Sequence, residues 1–175
     1  MNIIPSISLS SGAENNNLSQ TRRYAGIMDA LSEANVPVSN VRQIDYHTVF
    51  GSPVPSTSSY KSYEELFFPV DYTAVIGFND LQSYSAMEIL KERGYRIPED
   101  ISLISFDHLR KTHTYLPPLT SIADNTDKSI ADTAVSILLD KIKNSDSKFT
   151  GAVLPVTIYD GHTTGPVNKA FETSF

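Results

Sequence analysis

Two mostly apolar runs in this chain predict buried strands. Residues 73–78 form a continuous apolar strand and residues 101–106 a second buried strand, and such runs are typical of parallel sheets covered by helices. Shorter strands are predicted at residues 3–9, 41–46 and 154–159, where turn-forming residues bound short apolar or alternating stretches.

Between these strands, apolar residues recur at helical spacing. One helix is predicted to follow Ser19, taken as its N-cap, and to end at Pro37. A second opens at Asn79-Asp80, where Asp80 is the expected N-cap, and residues 127–143 predict the most strongly amphipathic helix of the chain. Strands alternating with helices predict the fold class α/β, with an open parallel sheet flanked by helices.

Composition excludes several classes of protein. The 175 residues include 20 acidic and 14 basic side chains and no cysteine, so disulfides and thiolate metal sites are excluded and the net negative charge disfavours contact with nucleic acid. No apolar run is long enough to cross a bilayer. The first residues do not resemble a secretory signal, which predicts a cytoplasmic protein.

Polar side chains follow the two predicted buried strands, 73–78 and 101–106, at the point where each strand ends. Asn79 follows the first strand and Asp107 the second, and the first turns of the preceding helix would add Ser19 and Arg23. The carboxyl ends of parallel strands share one edge of the sheet, where ligands of open α/β folds bind. Carboxylate, guanidinium and amide groups there suit a polyhydroxylated ligand.

Catalytic and metal sites find little support in the sequence. It contains no nucleophile-elbow, zinc-protease or phosphate-loop motif, and His108 and His113 are five positions apart, which does not place both on one helical face. Asp107 and His108 are expected to point to opposite sides of an extended chain. We therefore expect no enzyme activity, no metal and no cofactor.

The chain also contains strings that together are typical of one protein family. They are RYAGI at 23–27, ND at 79–80, GYRIPEDISLISFD at 94–107 and PPLTSI at 117–122. In their order and content these strings resemble the LacI/GalR family of transcriptional regulators, from the first strand to Gly165-Pro166.

That resemblance implies a domain organisation. Members have a helix-turn-helix headpiece that binds operator DNA and a two-lobed core that binds a small-molecule effector between its lobes. By this comparison residues 1–166 are the effector-binding domain, mostly its C-terminal lobe, residues 125–146 contain a crossover helix of the other lobe, and residues 167–175 are a tail. The headpiece is expected to be absent, and the apolar face of the crossover helix, without its usual partner, to be exposed, repacked or used for self-association.

The resemblance also assigns residues. Four correspond to effector contacts: Ser19, Arg23, Asn79 and Asp107. Asn17 stands where the purine-responsive branch has a basic residue, and His108 replaces the second acid of the usual pair, so a sugar or sugar derivative is the expected effector.

The family's homodimer contact would fall on three residues here, Tyr84, Tyr115 and Leu116. Their alternative role is to cover the core. Three alternatives to an effector sensor remain open at this point: a solute-binding protein for sugar uptake, an enzyme that uses Asp107 as nucleophile, and a truncated remnant that senses nothing.

Overall fold

The protein's structure, a computed structural model, describes residues 3–6, 18–43, 67–109, 116–124, 129–144 and 151–167. Its strands are β1 (Ile3–Ser6), β2 (Ala74–Gly77), β3 (Ser102–Phe106), β4 (Thr120–Asp124) and β5 (Val156–Tyr159). Its helices are α1 (Leu18–Glu33), α2 (Asp80–Glu92) and α3 (Ile130–Lys143), and a short 3-10 turn covers Val38–Asn40.

The five strands form one sheet in chain order, from β1 at one edge to β5 at the other. Strands β1 to β4 run parallel, which confirms the α/β fold class and the predicted parallel sheet for these four. Strand β5 instead runs antiparallel to β4. Its residues alternate between exposed and half-buried, which is the pattern of an antiparallel edge strand with one wet face.

The core lies between α2 and the middle of the sheet. Val75 of β2, Leu103 of β3 and Ile89 of α2 are all fully buried. Aromatic side chains close one end of it, since Phe67 and Tyr72 are also buried and the Tyr72 hydroxyl donates to the Phe67 carbonyl at 3.0 Å. Each such aliphatic side chain contributes about 1.5–3 kcal/mol by leaving water, and this packing fixes where β2 and β3 end.

The first helix differs from its prediction at both ends. It begins at Leu18, so Ser19 lies inside its first turn and the prediction that Ser19 is the N-cap was wrong. It stops at Glu33, before Pro37, because Asn35 takes a left-handed backbone with φ of 56°, a conformation in which asparagine commonly ends helices.

One predicted strand needs correction, and one observed strand was not predicted. Within the predicted strand 41–46, Val41 makes only an isolated bridge, Arg42 and Gln43 are not in a strand, and residues 44–46 lie outside the described residues. The sequence pattern did not indicate β4, because its first two residues, Thr120 and Ser121, are polar and yet buried.

The chain returns to the sheet after β5, in residues 160–165, which we call the C-terminal clasp. The Thr163 hydroxyl donates to the Leu103 carbonyl at 2.6 Å and accepts the Thr120 N–H at 2.9 Å. The clasp turn is held by Asp160, which accepts the His162 N–H at 2.7 Å, and this bond lowers the pKa of the Asp160 carboxyl below its usual range. The clasp therefore joins β3 to β4 beside their first residues.

Helix α3 presents apolar side chains to solvent, as the sequence comparison led us to expect. Five large ones are at least half exposed or nearly so: Ile130, Val135, Leu138, Leu139 and Ile142. The helix itself is well formed, with the Ser129 hydroxyl accepting the Asp132 N–H at its N-cap.

Candidate ligand-binding site

Arg23 of α1 and Asp107, directly after β3, meet at the carboxyl edge of the sheet. The Arg23 guanidinium donates from Nη1 to the Phe78 carbonyl at 2.6 Å and from Nη2 to Asp107 Oδ1 at 2.8 Å. The two side chains are 26% and 41% exposed, so the pair is open to solvent on one side. The structure thus brings together two of the residues predicted for the site.

Two aromatic rings fix the plane of the Arg23 guanidinium. Its central carbon lies 4.7 Å from the centre of the Phe78 ring and 4.8 Å from that of Phe106. Contacts of this kind favour the cation and restrict its rotation. The two hydrogen bonds to Phe78 and Asp107 use two of the guanidinium's five N–H donors, so the group is oriented without being saturated by those bonds.

Asn79, not Asp80, caps helix α2. The Asn79 side-chain oxygen accepts the Gln82 N–H at 2.9 Å, and its backbone is extended as an N-cap requires. The expectation that Asp80 would be the N-cap was therefore wrong. Asn79 follows Phe78 along the chain, which places it at the same edge as Arg23, with its oxygen occupied by the cap.

Asp80 is instead a buried acceptor that joins three parts of the chain, a role that the sequence reading missed. Its side chain is 1% exposed; Oδ1 accepts the Ser121 hydroxyl at 2.7 Å, and Oδ2 accepts the Leu109 N–H at 2.6 Å. The only sequence signal was that Asn79 and Asp80 are adjacent and that either could cap the helix. Since one cap residue is enough, the other could have a different role.

The segment that carries Asp107 is a tight turn and not an extended chain. Asp107 has φ of 95° and His108 φ of 49°, values that non-glycine residues adopt rarely. The His108 ring stacks on Tyr159 of β5 with centroids 3.9 Å apart and planes 9° from parallel. The expectation of an extended Asp107-His108 pair was wrong, and the turn sends the two side chains to different partners.

Two of the three residues predicted for a dimer contact, Tyr84 and Leu116, line a groove on α2. The Tyr84 hydroxyl donates to the Pro117 carbonyl at 3.0 Å. The groove has a volume of about 450 Å³ and is lined by Tyr84, Met87, Glu88, Lys91, Glu92, Leu116 and Pro117. Tyr84 and Leu116 therefore share one surface, while Tyr115 lies outside the described residues, as does the side chain of Ser19 at the ligand site.

The described part of the chain has neither a cluster of metal ligands nor a helix that could span a membrane. It contains no group of three or more histidine, aspartate or glutamate side chains placed to hold a metal ion. None of its helices is both long and apolar enough to cross a membrane. What it presents at the sheet edge is a carboxylate and a guanidinium, which accept and donate hydrogen bonds to hydroxyl groups.

Solved structures with the same fold include several regulators. A LacI family transcriptional regulator from Enterococcus faecium with bound ribose superposes over 94% of this chain and 56% of its own, with a TM-score of 0.70 and 21% identity. A LacI-type regulator from Bifidobacterium animalis subsp. lactis gives 0.70 and 24%, over 94% of this chain and 59% of its own. The regulator CelR in complex with cellobiose gives 0.66 and 20%, over 92% and 46%.

Relatives by sequence are named as transcriptional repressors. The HTH-type transcriptional repressor PurR of Mannheimia succiniciproducens is 30% identical over 137 residues, which are 78% of this chain and 39% of that protein. PurR of Aliivibrio salmonicida is 37% identical over 123 residues, 70% of this chain and 35% of that protein. The chain thus spans less than two fifths of the length of these curated relatives.

The sequence model of one domain family covers almost the whole chain. It is described as the periplasmic binding protein-like domain, and it matches residues 7–164. This extent agrees with the shared fold and with the relatives, which are named as regulators and not as enzymes. The chain therefore belongs to the periplasmic binding protein-like domain family, and the relatives and structures to which it is similar are transcriptional regulators, several of them of the LacI type.

Proposed function

We propose that this chain binds a small-molecule effector, a sugar or sugar derivative, at the Arg23–Asp107 pair. The observation that carries the proposal is the 2.8 Å contact between this guanidinium and carboxylate at the carboxyl edge of the parallel strands, where ligands of open α/β folds bind. Ser19 and Asn79 complete the proposed contact set, with Asn79 acting through its amide nitrogen because its oxygen caps α2.

The polar and aromatic groups of this site suit a sugar. Neighbouring hydroxyl groups can donate to the Asp107 carboxylate and accept from the Arg23 fork, and the aromatic side chains beside Arg23 can cover an apolar sugar face. Three structures with this fold contain sugars, namely ribose, cellobiose and D-xylulofuranose. The proposed signal is a shift between open and closed lobes on binding.

The domain organisation belongs to the same proposal. Residues 1–166 would form the sensor domain, mostly its C-terminal lobe, and α3 would belong to the second lobe; the exposed apolar side of α3 supports this. Operator DNA would be contacted only through a headpiece, since a net charge of −6 disfavours binding by the core itself.

A thermal-shift screen of sugars, sugar phosphates and nucleobases tests the proposal, with Asp107→Asn beside the natural chain. Ligand at about a hundred times its dissociation constant should stabilise the protein by about 2.7 kcal/mol. Asp107→Asn removes the carboxylate charge, so it should weaken binding about a hundredfold and shrink the stabilisation to about 0.4 kcal/mol at the same concentration.

The matched control is Asp29→Asn, which removes an exposed carboxylate from α1, the helix that carries Arg23. It should leave the sugar-induced shift unchanged. A shift with a sugar that Asp107→Asn retains in full would place the ligand elsewhere. No shift with any compound would favour a non-sensing remnant, and a shift with nucleobases alone would replace sugar as the effector class.

We further propose that two copies of the chain pair through the groove around Tyr84 and Leu116. The groove joins apolar side chains to a charged rim of Glu88, Lys91 and Glu92, and an apolar centre with a charged rim is common at protein interfaces. Light scattering at micromolar concentrations should give the mass of a dimer for the natural chain and for Val38→Glu, a matched change at an exposed site. Leu116→Glu should give a monomer, and a monomeric natural chain would contradict the proposal.

A further inference from the structure

We propose that Asp80 is a positioning residue, which acts through the turn at residues 107–109 to hold the Asp107 carboxylate against Arg23. The inference rests on the proposed effector site and adds to it a residue that is itself too deeply buried, at 1% exposure, to touch a ligand. The position of Asp80 in the fold explains why a carboxylate is needed there.

Three successive N–H groups of the turn are all bound. The Asp107 N–H donates to the Ile122 carbonyl at 2.9 Å, within the strand pairing of β3 and β4. The His108 N–H donates to the Ser121 hydroxyl at 2.9 Å, and that hydroxyl donates in turn to Asp80 Oδ1. The Leu109 N–H donates directly to Asp80 Oδ2. Two of the three bonds therefore depend on the Asp80 carboxylate, one directly and one through the Ser121 hydroxyl.

The turn needs this support because its backbone is unfavourable on its own. Asp107 and His108 both have positive φ, at 95° and 49°. Non-glycine residues keep such conformations only where the surroundings determine them. The Asp80 carboxylate holds the turn in this conformation. If either residue relaxed toward negative φ, the His108 or Leu109 N–H would turn away from its acceptor.

The Asp80 carboxylate can accept hydrogen bonds from two donors at once. An ionised carboxylate has two acceptor oxygens and donates nothing, and both Asp80 oxygens are used. Asp80 is also the first residue of α2, where the helix dipole favours negative charge. Helix capping does not explain the residue, because Asn79 performs it.

The same residue ties together both halves of the proposed site. Phe78, whose carbonyl accepts from Arg23, is two positions before Asp80, and Asp107 is two positions before Leu109. A shift of the Asp80 carboxylate would therefore move the two acceptors of Arg23 relative to one another. We expect effector affinity, and not only stability, to depend on Asp80.

The first experiment needs no ligand. Amide hydrogen exchange at His108 and Leu109 is measured by nuclear magnetic resonance in the full chain, in Asp80→Asn and in Ser83→Ala. Asp80→Asn keeps the shape but has only one acceptor oxygen, so exchange at the turn should be about tenfold or more faster. Ser83→Ala is the matched control, since it removes the hydrogen bonds of another side chain of the same helix, to Ser105 and to the Asn79 carbonyl, without touching the turn.

Ser121→Ala keeps the proposal testable if Asp80→Asn does not fold. It removes the link between His108 and Asp80 but leaves the direct bond from Leu109. Exchange should then accelerate at His108 and stay slow at Leu109. Unchanged exchange at the turn in either folded variant, or equal acceleration in Ser83→Ala, would overturn the proposal.

The second experiment measures the affinity of the sugar that gives the largest thermal shift, by calorimetry in a double-mutant cycle. Asp80→Asn should weaken binding about tenfold in the natural chain and have no further effect when Asp107→Ala is already present, because its action passes through Asp107. Equal weakening in both backgrounds would refute the positioning role. If no sugar binds, the proposed function fails, and the exchange experiment still decides whether Asp80 holds the turn.

Discussion

A chain in which Gly161 is replaced by alanine is expected to lose about 3 kcal/mol or more of its free energy of unfolding. A Cβ atom at this position would lie 2.2 Å from the Leu119 carbonyl carbon and 2.3 Å from the Leu119 nitrogen. Both are backbone atoms of the residue that leads into β4, so no side-chain rotation can make room. The clasp would have to lift from the sheet, and the bonds of Thr163 to Leu103 and Thr120 would be lost with it.

Urea denaturation of the two chains at equal concentration measures this loss. Gly151→Ala is the matched control, because a Cβ there would meet nothing within 4 Å, and its free energy of unfolding should change by less than about 0.5 kcal/mol. Equal midpoints for the two alanine variants would show that the clasp does not approach β4 as closely as described.

Arg23→Ala is expected to have the second large effect, on affinity more than on stability. Its two hydrogen bonds and two aromatic contacts join α1 to the ends of β2 and β3. Because the pair is partly exposed, its loss should lower the free energy of unfolding by only about 1–2 kcal/mol. Effector affinity should fall about a hundredfold, since Asp107 would then face the ligand without its cation.

Two variants sharpen this measurement. Arg22→Ala removes the same charge from the neighbouring exposed position and should change neither calorimetric affinity nor the urea midpoint. Arg23→Lys keeps the charge but cannot reach the Phe78 carbonyl and Asp107 together, so we expect affinity between those of the natural chain and Arg23→Ala. An Arg23→Ala chain that binds sugar normally would remove Arg23 from the site.

Sequence pattern alone was sufficient for the parts of the fold in which local chemistry and tertiary environment agree. The strands around Val75 and Leu103 are mostly apolar, and in both of them alternate residues are fully buried on the sheet. The meeting of Arg23 with Asp107 could also be predicted, because residues that follow parallel strands share one edge whatever the details of packing.

Other features depended on partners that are distant in sequence. The burial of Asp80 requires Ser121, 41 positions away, and nothing near Asp80 indicates that partner. The positive φ values at Asp107 and His108 are likewise imposed by bonds to β4 and α2 and are unusual for their residue types. The direction of β5 could not be predicted either, since the apolar pattern of an edge strand is the same in both directions.

The clasp has a consequence for the order in which the molecule can fold. Thr163 bonds to Leu103 from 60 positions away and to Thr120 from 43, whereas β2, β3 and β4 each lie beside the next strand in the chain. Contacts between distant residues close slowly, because a long loop loses entropy before any bond rewards it. Since synthesis runs from the N-terminus, β3 and β4 are made before the clasp. The Leu103 carbonyl and the Thr120 N–H therefore stay hydrated until residues 160–165 have been added.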